Sequence, residues 1–398
     1  MHCEEKIAWL EAKRGKNHSI EQIEKTLHES VPEIFAVPSI QILGTNGKGS
    51  TLTWLSLLLQ KQGLSVGTFT SPHLVTHFER IAFNGKPIEA AEWEEIFDRW
   101  QPYFEEENCS MFEADLIMAA NWFARKKPGV ILWEAGMGGE RDATSALPAA
   151  YRLLCNAGLD HMAYLGNTVE EIAATKTRAI RPGEILISTE RKEGPLKVME
   201  EVCRKRDAAF VPAKTFEKYL EEISGDNCVL WPDRLPLYQK ENLALALAAL
   251  KQMDRLPASD QLEQVMEEFS WAGRFMCLRK DPLVLLDGAH NEPGVEALCA
   301  SLGDLEKPVD RVYFSVLGDK QADAMIEMLK GTVKDLVLVS FDCYRLADLQ
   351  TLAQKHNLKI IGLDEALEEI KKTGKRVLLT GSLYFAGEIL KRMEIRPV

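Results

Sequence analysis

Short apolar runs rich in Val, Ile and Leu recur along the first two thirds of the chain, at 40–43, 66–69, 130–133, 153–154 and 185–187. Between them lie longer stretches, such as 52–62 and 169–179, whose apolar positions follow helical spacing. Buried strands alternating with amphipathic helices predict a mostly parallel α/β sheet. From residue 283 the rhythm becomes cleaner, with runs at 283–286, 312–316, 336–339, 359–361 and 377–379 separated by single helical segments. That spacing predicts a smaller doubly wound, Rossmann-like domain. The expected boundaries are 1–272 for the first domain, 273–282 for a linker around Trp271-Ala-Gly-Arg274, and 283–398 for the second. Ligands of such sheets bind beyond the carboxyl ends of the strands, so an active site in a cleft between the two domains is expected.

Composition narrows the partners. Of 398 residues, 46% are hydrophobic and 27% charged, which places the chain among folded globular proteins. Lys and Arg total 48 against 60 Asp and Glu, a formal charge of −12 that disfavours nucleic acid and anionic lipid. The eight cysteines are never closer than four positions, so neither close zinc-ligand spacing nor a disulfide framework can be read. Glu4 and Glu5 stand where a signal peptide would be basic, and no apolar run approaches membrane-spanning length. A cytoplasmic protein, probed by small molecules rather than by membranes, is expected.

The first chemical signal is a glycine-rich segment between strand and helix: Gly44, Thr45, Asn46, Gly47, Lys48, Gly49 and Ser50, followed by Thr51 and an apolar helical stretch. Glycines let backbone N–H groups approach phosphate oxygens, a helix start adds its dipole, and Lys48 supplies a mobile cation. Ser50, or Thr51, then offers a hydroxyl to a magnesium ion. The pattern departs from the usual one: Ile42 stands in place of the first glycine, and Gly49 separates the lysine from the hydroxyl. Even so, the first domain reads as an ATP-binding, phosphate-loop type.

This loop, with Ser71-Pro-His73-Leu and Glu79-Arg80-Ile, Glu134-Ala-Gly-Met-Gly-Gly139, Asp142-Ala-Thr144, Gly158-Leu-Asp-His161, Trp271-Ala-Gly-Arg274, Asp287-Gly-Ala-His290-Asn291, Leu317-Gly-Asp-Lys320 and Gly381-Ser382-Leu-Tyr384, resembles the folylpolyglutamate synthase and dihydrofolate synthase family of the Mur ligase superfamily. The ordered motifs run from about residue 40 to about 385 and are more specific together than the loop alone.

The resemblance implies roles that the residues alone leave open. Glu134 ends an apolar strand beside flexible glycines; alone it reads equally as a loop acid, and the family makes it a magnesium ligand. His161, otherwise an ordinary polar histidine, would ligate a second magnesium. Lys176, by itself an exposed helix lysine, corresponds to one that the family carbamylates into a carboxylate-like metal ligand. The flanking Thr175, Thr177 and Arg178 depart from the family's Glu-Lys-Ala-Gly, Ser145 replaces an Asn, and Arg141 sits one place late. Arg274 would reach the γ-phosphate, and Asn242 and Asp287 would contact nucleotide, although Tyr238 replaces the family's histidine in Gln239-Lys-Glu-Asn242. Asp287, His290 and Ser382 follow strands of the second domain and would bind glutamate or nucleotide; His290 reads alternatively as a helix cap. Ser71, His73 and Arg80 would line the acceptor's side.

The implied reaction is ATP-dependent, with two Mg2+ sites, room for a monovalent cation such as K+, and a monomeric enzyme acting on ATP, L-glutamate and a folate. Glutamate would join the γ-carboxyl of a reduced folate through an acyl phosphate. Dihydropteroate as acceptor, alone or in a bifunctional enzyme, is the alternative. A divergent nucleotide-binding relative without ligation, or ligation on a non-folate acid, are further readings that the fold itself does not separate.

Overall fold

The computed structural model describes residues 2–16, 18–224 and 235–395. The chain forms two compact units, Met1–Leu230 with Glu241–Phe269, and Trp231–Lys240 with Ser270–Val398.

Among the described residues the first unit holds an eight-stranded sheet, ordered β4-β3-β2-β5-β1-β6-β7-β8. The strands are β1 (Ser39–Leu43), β2 (Val66–Phe69), β3 (Ile81–Phe83), β4 (Lys86–Pro87), β5 (Val130–Glu134), β6 (Tyr151–Leu154), β7 (Ile185–Ser188) and β8 (Ala209–Pro212). β2, β5, β1, β6, β7 and β8 run parallel, while β3 and β4 add an antiparallel edge. β1 and β5 are buried at every position, as strands covered on both faces must be, which is why they read as unbroken apolar runs.

The N-terminal helices Cys3–Glu11 and Ile20–Ser30 pack into this unit, with Leu10, Ile23 and Leu27 buried beside Trp93, Phe97 and Phe104. The helix Met111–Lys126 starts on a Ser110/Glu113 capping box, which satisfies two of its orphan first-turn N–H groups and marks where it begins. Trp54 stacks on Phe269 at a centroid distance of 3.6 Å, so the helix after the phosphate loop is anchored by the end of the unit's own chain.

The second unit contains β9 (Met276–Arg279), β10 (Val284–Leu286), β11 (Arg311–Phe314), β12 (Asp335–Ser340), β13 (Lys359–Gly362) and β14 (Val377–Thr380) in the order β13-β12-β11-β14-β10-β9. All neighbours are parallel except β9 on β10. The stretch read as a linker therefore contains an edge strand, held by backbone pairing that its half-polar sequence does not advertise. A core of Val295, Leu298, Val312, Phe314, Met325, Ile326 and Leu378 fills the space beside this sheet.

Candidate active site

The carboxyl ends of β1, β5, β6 and β2 bring four loop segments of the first unit together. β1 and β5 are in parallel register with Ile42 opposite Glu134, so the carboxylate emerges one strand from the phosphate loop. Gly47 is the N-cap of the helix Lys48–Lys61 and has φ of 87°. A Cβ there would also collide with Oδ1 of Asn242, so both conformation and space require glycine. The first-turn N–H groups of this helix give a positive end for phosphate.

The loop is braced from β6. Asn46 N–H donates to Oδ1 of Asn156 and Nδ2 of Asn156 donates to the Asn46 carbonyl, each at 3.1 Å. Thr45 exchanges hydrogen bonds with Gly158 through its hydroxyl, at 3.1 and 3.0 Å. Ser50 and Thr51 are buried in the first helical turn, and Thr51 Oγ1 lies 3.4 Å from Sγ of Cys155. Asn156 is a site residue that the sequence reading passed over; its position after an apolar run was the available signal.

Two lysines meet at this loop. Lys48 Nζ donates to the Gly44 carbonyl at 3.1 Å, and Lys176 Nζ donates to the same oxygen at 3.0 Å. Lys176 is buried, not the exposed helix lysine of its simplest reading. Burial first, and the charge of Lys48 second, bring its pKa down to about 7, against the opposing pull of Asp160 and Asp142. Thr175 donates to the Leu165 carbonyl at 3.0 Å, whereas Thr177 is fully buried with its hydroxyl lacking a hydrogen-bond partner. Ser145 donates to the Gly139 carbonyl at 2.7 Å and accepts from Gln41 at 2.9 Å. Glu134 is buried and accepts from the Ser71 N–H at 3.1 Å. His161 sits at the start of the short helix Met162–Leu165 with φ of 50°, its ring partly exposed and Nε2 4.0 Å from Asp160.

A serine hydroxyl, a carboxylate and an imidazole, the groups of Ser50, Glu134 and His161, are donor types that suit Mg2+ or Mn2+. A protonated Lys176 cannot join it, whereas an amine with a pKa near neutrality can react with CO2 and then supply oxygens.

In the segment after β2, His73 accepts at Nδ1 from Arg80 Nε at 3.0 Å. Burial, then the charges of Arg80 and His77, hold the His73 pKa down to about 4. Three partners missed in the sequence complete the group: Glu11 lies 3.4 Å from His73 Nε2, and His77 bridges Glu11 and Asp115 at 3.1 and 2.8 Å. His77 lies between the Ser71–Leu74 and Glu79–Ile81 motifs, four positions after His73, and that spacing was the available signal; Glu11 and Asp115 are remote in sequence and carried no signal.

In the second unit, Asp287 is buried after β10 and accepts from Tyr238 Oη at 2.7 Å, Phe275 N–H at 2.8 Å and Ala289 N–H at 2.8 Å. Burial raises its pKa, opposed by Arg274 and these donors. Tyr238 therefore engages the carboxylate, and burial together with that charge raises its own pKa well above the usual phenol range. Arg274 Nη1 donates to its neighbour Gly273 at 3.0 Å, and His290 Nδ1 lies 2.8 Å from the Gly288 carbonyl. The helix Glu292–Gly303 is capped by Asn291, not by His290, because the Asn291 side chain accepts from Gly294. Ser382, after β14, is fully buried and caps the helix Leu383–Arg392.

Comparison with known proteins places these motifs. Residues 273–383 match the family model "Mur ligase, glutamate ligase domain". The Bacillus subtilis dihydrofolate synthase/folylpolyglutamate synthase is 30% identical over 397 residues, covering 90% of this chain and 91% of that one. A Thermotoga maritima folylpolyglutamate synthase structure is similar at a TM-score of 0.82 and 26% identity, over 99% of this chain and 98% of that one. The Yersinia pestis bifunctional synthase, solved with AMPPNP and a Mn ion, shares the fold at a TM-score of 0.85 and 23% identity, covering 98% of each chain. With likeness extending across both units and nearly the full length of a curated relative, the chain belongs to the dihydrofolate synthase/folylpolyglutamate synthase family of Mur ligases.

Proposed function

We propose that this ATP-dependent ligase joins L-glutamate to the γ-carboxyl of a reduced folate, with dihydropteroate as a second acceptor. The observation that supports the reading best is the convergence of Lys48 and Lys176 on one carbonyl of the phosphate loop, one strand away from Glu134. Magnesium, held by Ser50, Glu134, His161 and a carbamylated Lys176, would neutralise phosphate charge when bound. A monovalent cation such as K+ belongs to the same proposal. The Yersinia pestis relative, with its ATP analogue and Mn ion, gives the precedent for nucleotide and divalent metal.

The chain's own groups divide the work. Loop N–H groups and Lys48 hold the β- and γ-phosphates, and Arg274 supplies a planar cation to the transferring group. Ser71, His73 and Arg80 orient the acceptor so that its carboxylate oxygen attacks the γ-phosphorus and ADP leaves. Asp287, His290 and Ser382 bind glutamate or nucleotide. The glutamate amine then attacks the acyl carbon, loses a proton, and expels inorganic phosphate as the amide forms. Exclusion of water protects the acyl phosphate from hydrolysis. We place this monomer in the cytoplasm; among the described residues no helix is long and apolar enough to cross a membrane.

Dual acceptor use is favoured by the double name of the Bacillus subtilis relative. Glutamate-dependent ADP release measured with tetrahydrofolate and dihydropteroate side by side tests it. Turnover with both supports the bifunctional reading, and turnover with one assigns the acceptor. ATP binding without amide product for any pteroyl acid would instead favour a non-folate acceptor or a relative that has lost ligation.

A further inference from the structure

The buried group around His77 does something that the phosphate site does not require. Three elements of the first unit contribute to it: Glu11 at the end of the helix Cys3–Glu11, Asp115 in the helix Met111–Lys126, and His73, His77 and Arg80 in the segment after β2. His77 and Asp115 are fully enclosed and Arg80 nearly so. Glu11, His73 and His77 have the composition of a metal site, and their candidate ligand atoms lie within 4.8 Å of one another. The hydrogen-bond pattern argues against one. Arg80 Nε is always a donor, so His73 Nδ1 must accept from it. The ring proton of neutral His73 is then on Nε2, facing Glu11, where a metal would need the lone pair. A second such group, His18, Cys109 and Glu113, is accounted for by the capping box: Glu113 accepts from the Ser110 N–H, the Ser110 hydroxyl and the His18 N–H.

The first group is instead a charge-balanced clamp. Two carboxylates, Glu11 and Asp115, face two cations, Arg80 and protonated His77. His77 donates from both ring nitrogens, to Glu11 at 3.1 Å and to Asp115 at 2.8 Å. The other Asp115 oxygen lies 3.5 Å from Arg80 Nη1, an ion-pair distance without a hydrogen bond, so Asp115 places its charge between His77 and the guanidinium. Arg80 in turn fixes the tautomer and direction of His73. The far end of the same turn is tied by the Ser71 N–H to Glu134, and Leu74, Val75 and Thr76 N–H groups all donate to the Glu79 carboxylate.

We infer that His77 and Asp115 are positioning residues that set the orientation of Arg80 and His73, and through them the binding of the acceptor acid. The inference rests on the ligase reading, in which His73 and Arg80 line the acceptor's side. The clamp touches no phosphate-loop residue in this pattern of bonds, so its loss is expected to fall on the acceptor and spare the nucleotide.

The test replaces the pair with an apolar one of similar bulk, His77→Phe with Asp115→Leu, because such exchanges of buried ion pairs commonly preserve folding. The expected result is a KM for the acceptor raised about tenfold or more, with kcat and AMPPNP affinity within about twofold of wild type. A folded double variant with the wild-type acceptor KM overturns the inference, because a purely structural pair would be replaced without kinetic effect. Asp115→Asn, which keeps shape and removes the charge, carries the same test if the double variant fails to fold. The ring nitrogens of 15N-labelled His73 give an independent reading: the variants must lose the fixed Nε2–H tautomer seen in the wild type. If wild type itself releases no ADP with any acceptor while the tautomer shifts as expected, it is the ligase reading that fails and the clamp that stands.

Discussion

Lys48 and Lys176 donate to a single oxygen, the main-chain carbonyl of Gly44, from 3.1 and 3.0 Å. Two ammonium groups sharing one acceptor repel each other, and the buried one gives way: the Lys176 pKa falls to about 7 through burial first and Lys48 second. The arrangement places beside Lys48 a buried amine, Lys176, whose pKa lies near neutrality. Lys48→Ala is expected to lower ligation about a hundredfold or more while leaving the circular dichroism spectrum unchanged. Near-normal turnover would remove the phosphate-loop assignment.

The role of Lys176 has its own test. Neutral amine and CO2 give a carbamate and a proton, converting a cation into an oxygen ligand. Lys176→Ala should lose most activity and regain part of it with added short carboxylic acids, and wild-type activity should fall in buffers stripped of CO2. Full activity of the unrescued variant would show that the amine is only a packing element.

Gly47 is constrained twice, by its left-handed φ of 87° and by Oδ1 of Asn242. Gly47→Ala should cost about 1–2 kcal/mol for the backbone alone, visible in thermal unfolding. Because the collision tilts the loop against Asn242, AMPPNP affinity should fall further than stability does. Unchanged nucleotide affinity would mean that the loop does not bind phosphate in this conformation.

His73 and His77 make stability depend on pH in two windows. For His77, burial alone would lower the pKa, but Asp115 and Glu11 outweigh it and raise it to about 9, above the ordinary 6.5. The folded state then holds this proton more tightly, so its contribution is full below about pH 6.5 and is lost as pH rises to about 9. His73, lowered to about 4, acts oppositely: stability is lost as pH falls from about 6.5 to about 4. Denaturant unfolding of wild type against His77→Phe should show a stability difference that shrinks between pH 6.5 and 9. A difference independent of pH would contradict a protonated, paired His77.

Much of this fold was legible because buried parallel strands announce themselves: the runs at 40–43, 66–69 and 130–133 became β1, β2 and β5. The strands β3, β4, β8 and β9 escaped because they are short or half-exposed, and backbone pairing rather than side-chain pattern holds them. Local motifs likewise revealed Lys48 and Glu134, whose positions follow from a strand end. What the residues alone could not reveal was the burial of Lys176, which depends on Gly139 lying against its backbone, where any Cβ would overlap the Lys176 carbonyl. The Glu11–His77–Asp115 clamp is invisible for the same reason: three segments separated by tens of positions meet only after the core has packed.

In the proposed reaction ATP activates the acceptor carboxylate as an acyl phosphate, which glutamate then captures. Ligation of an acceptor carrying 18O in its reacting carboxyl group tests this directly, by mass spectrometry of the inorganic phosphate released. One 18O atom is expected in phosphate for each amide formed; phosphate free of 18O, with amide accumulating, would rule out the acyl phosphate.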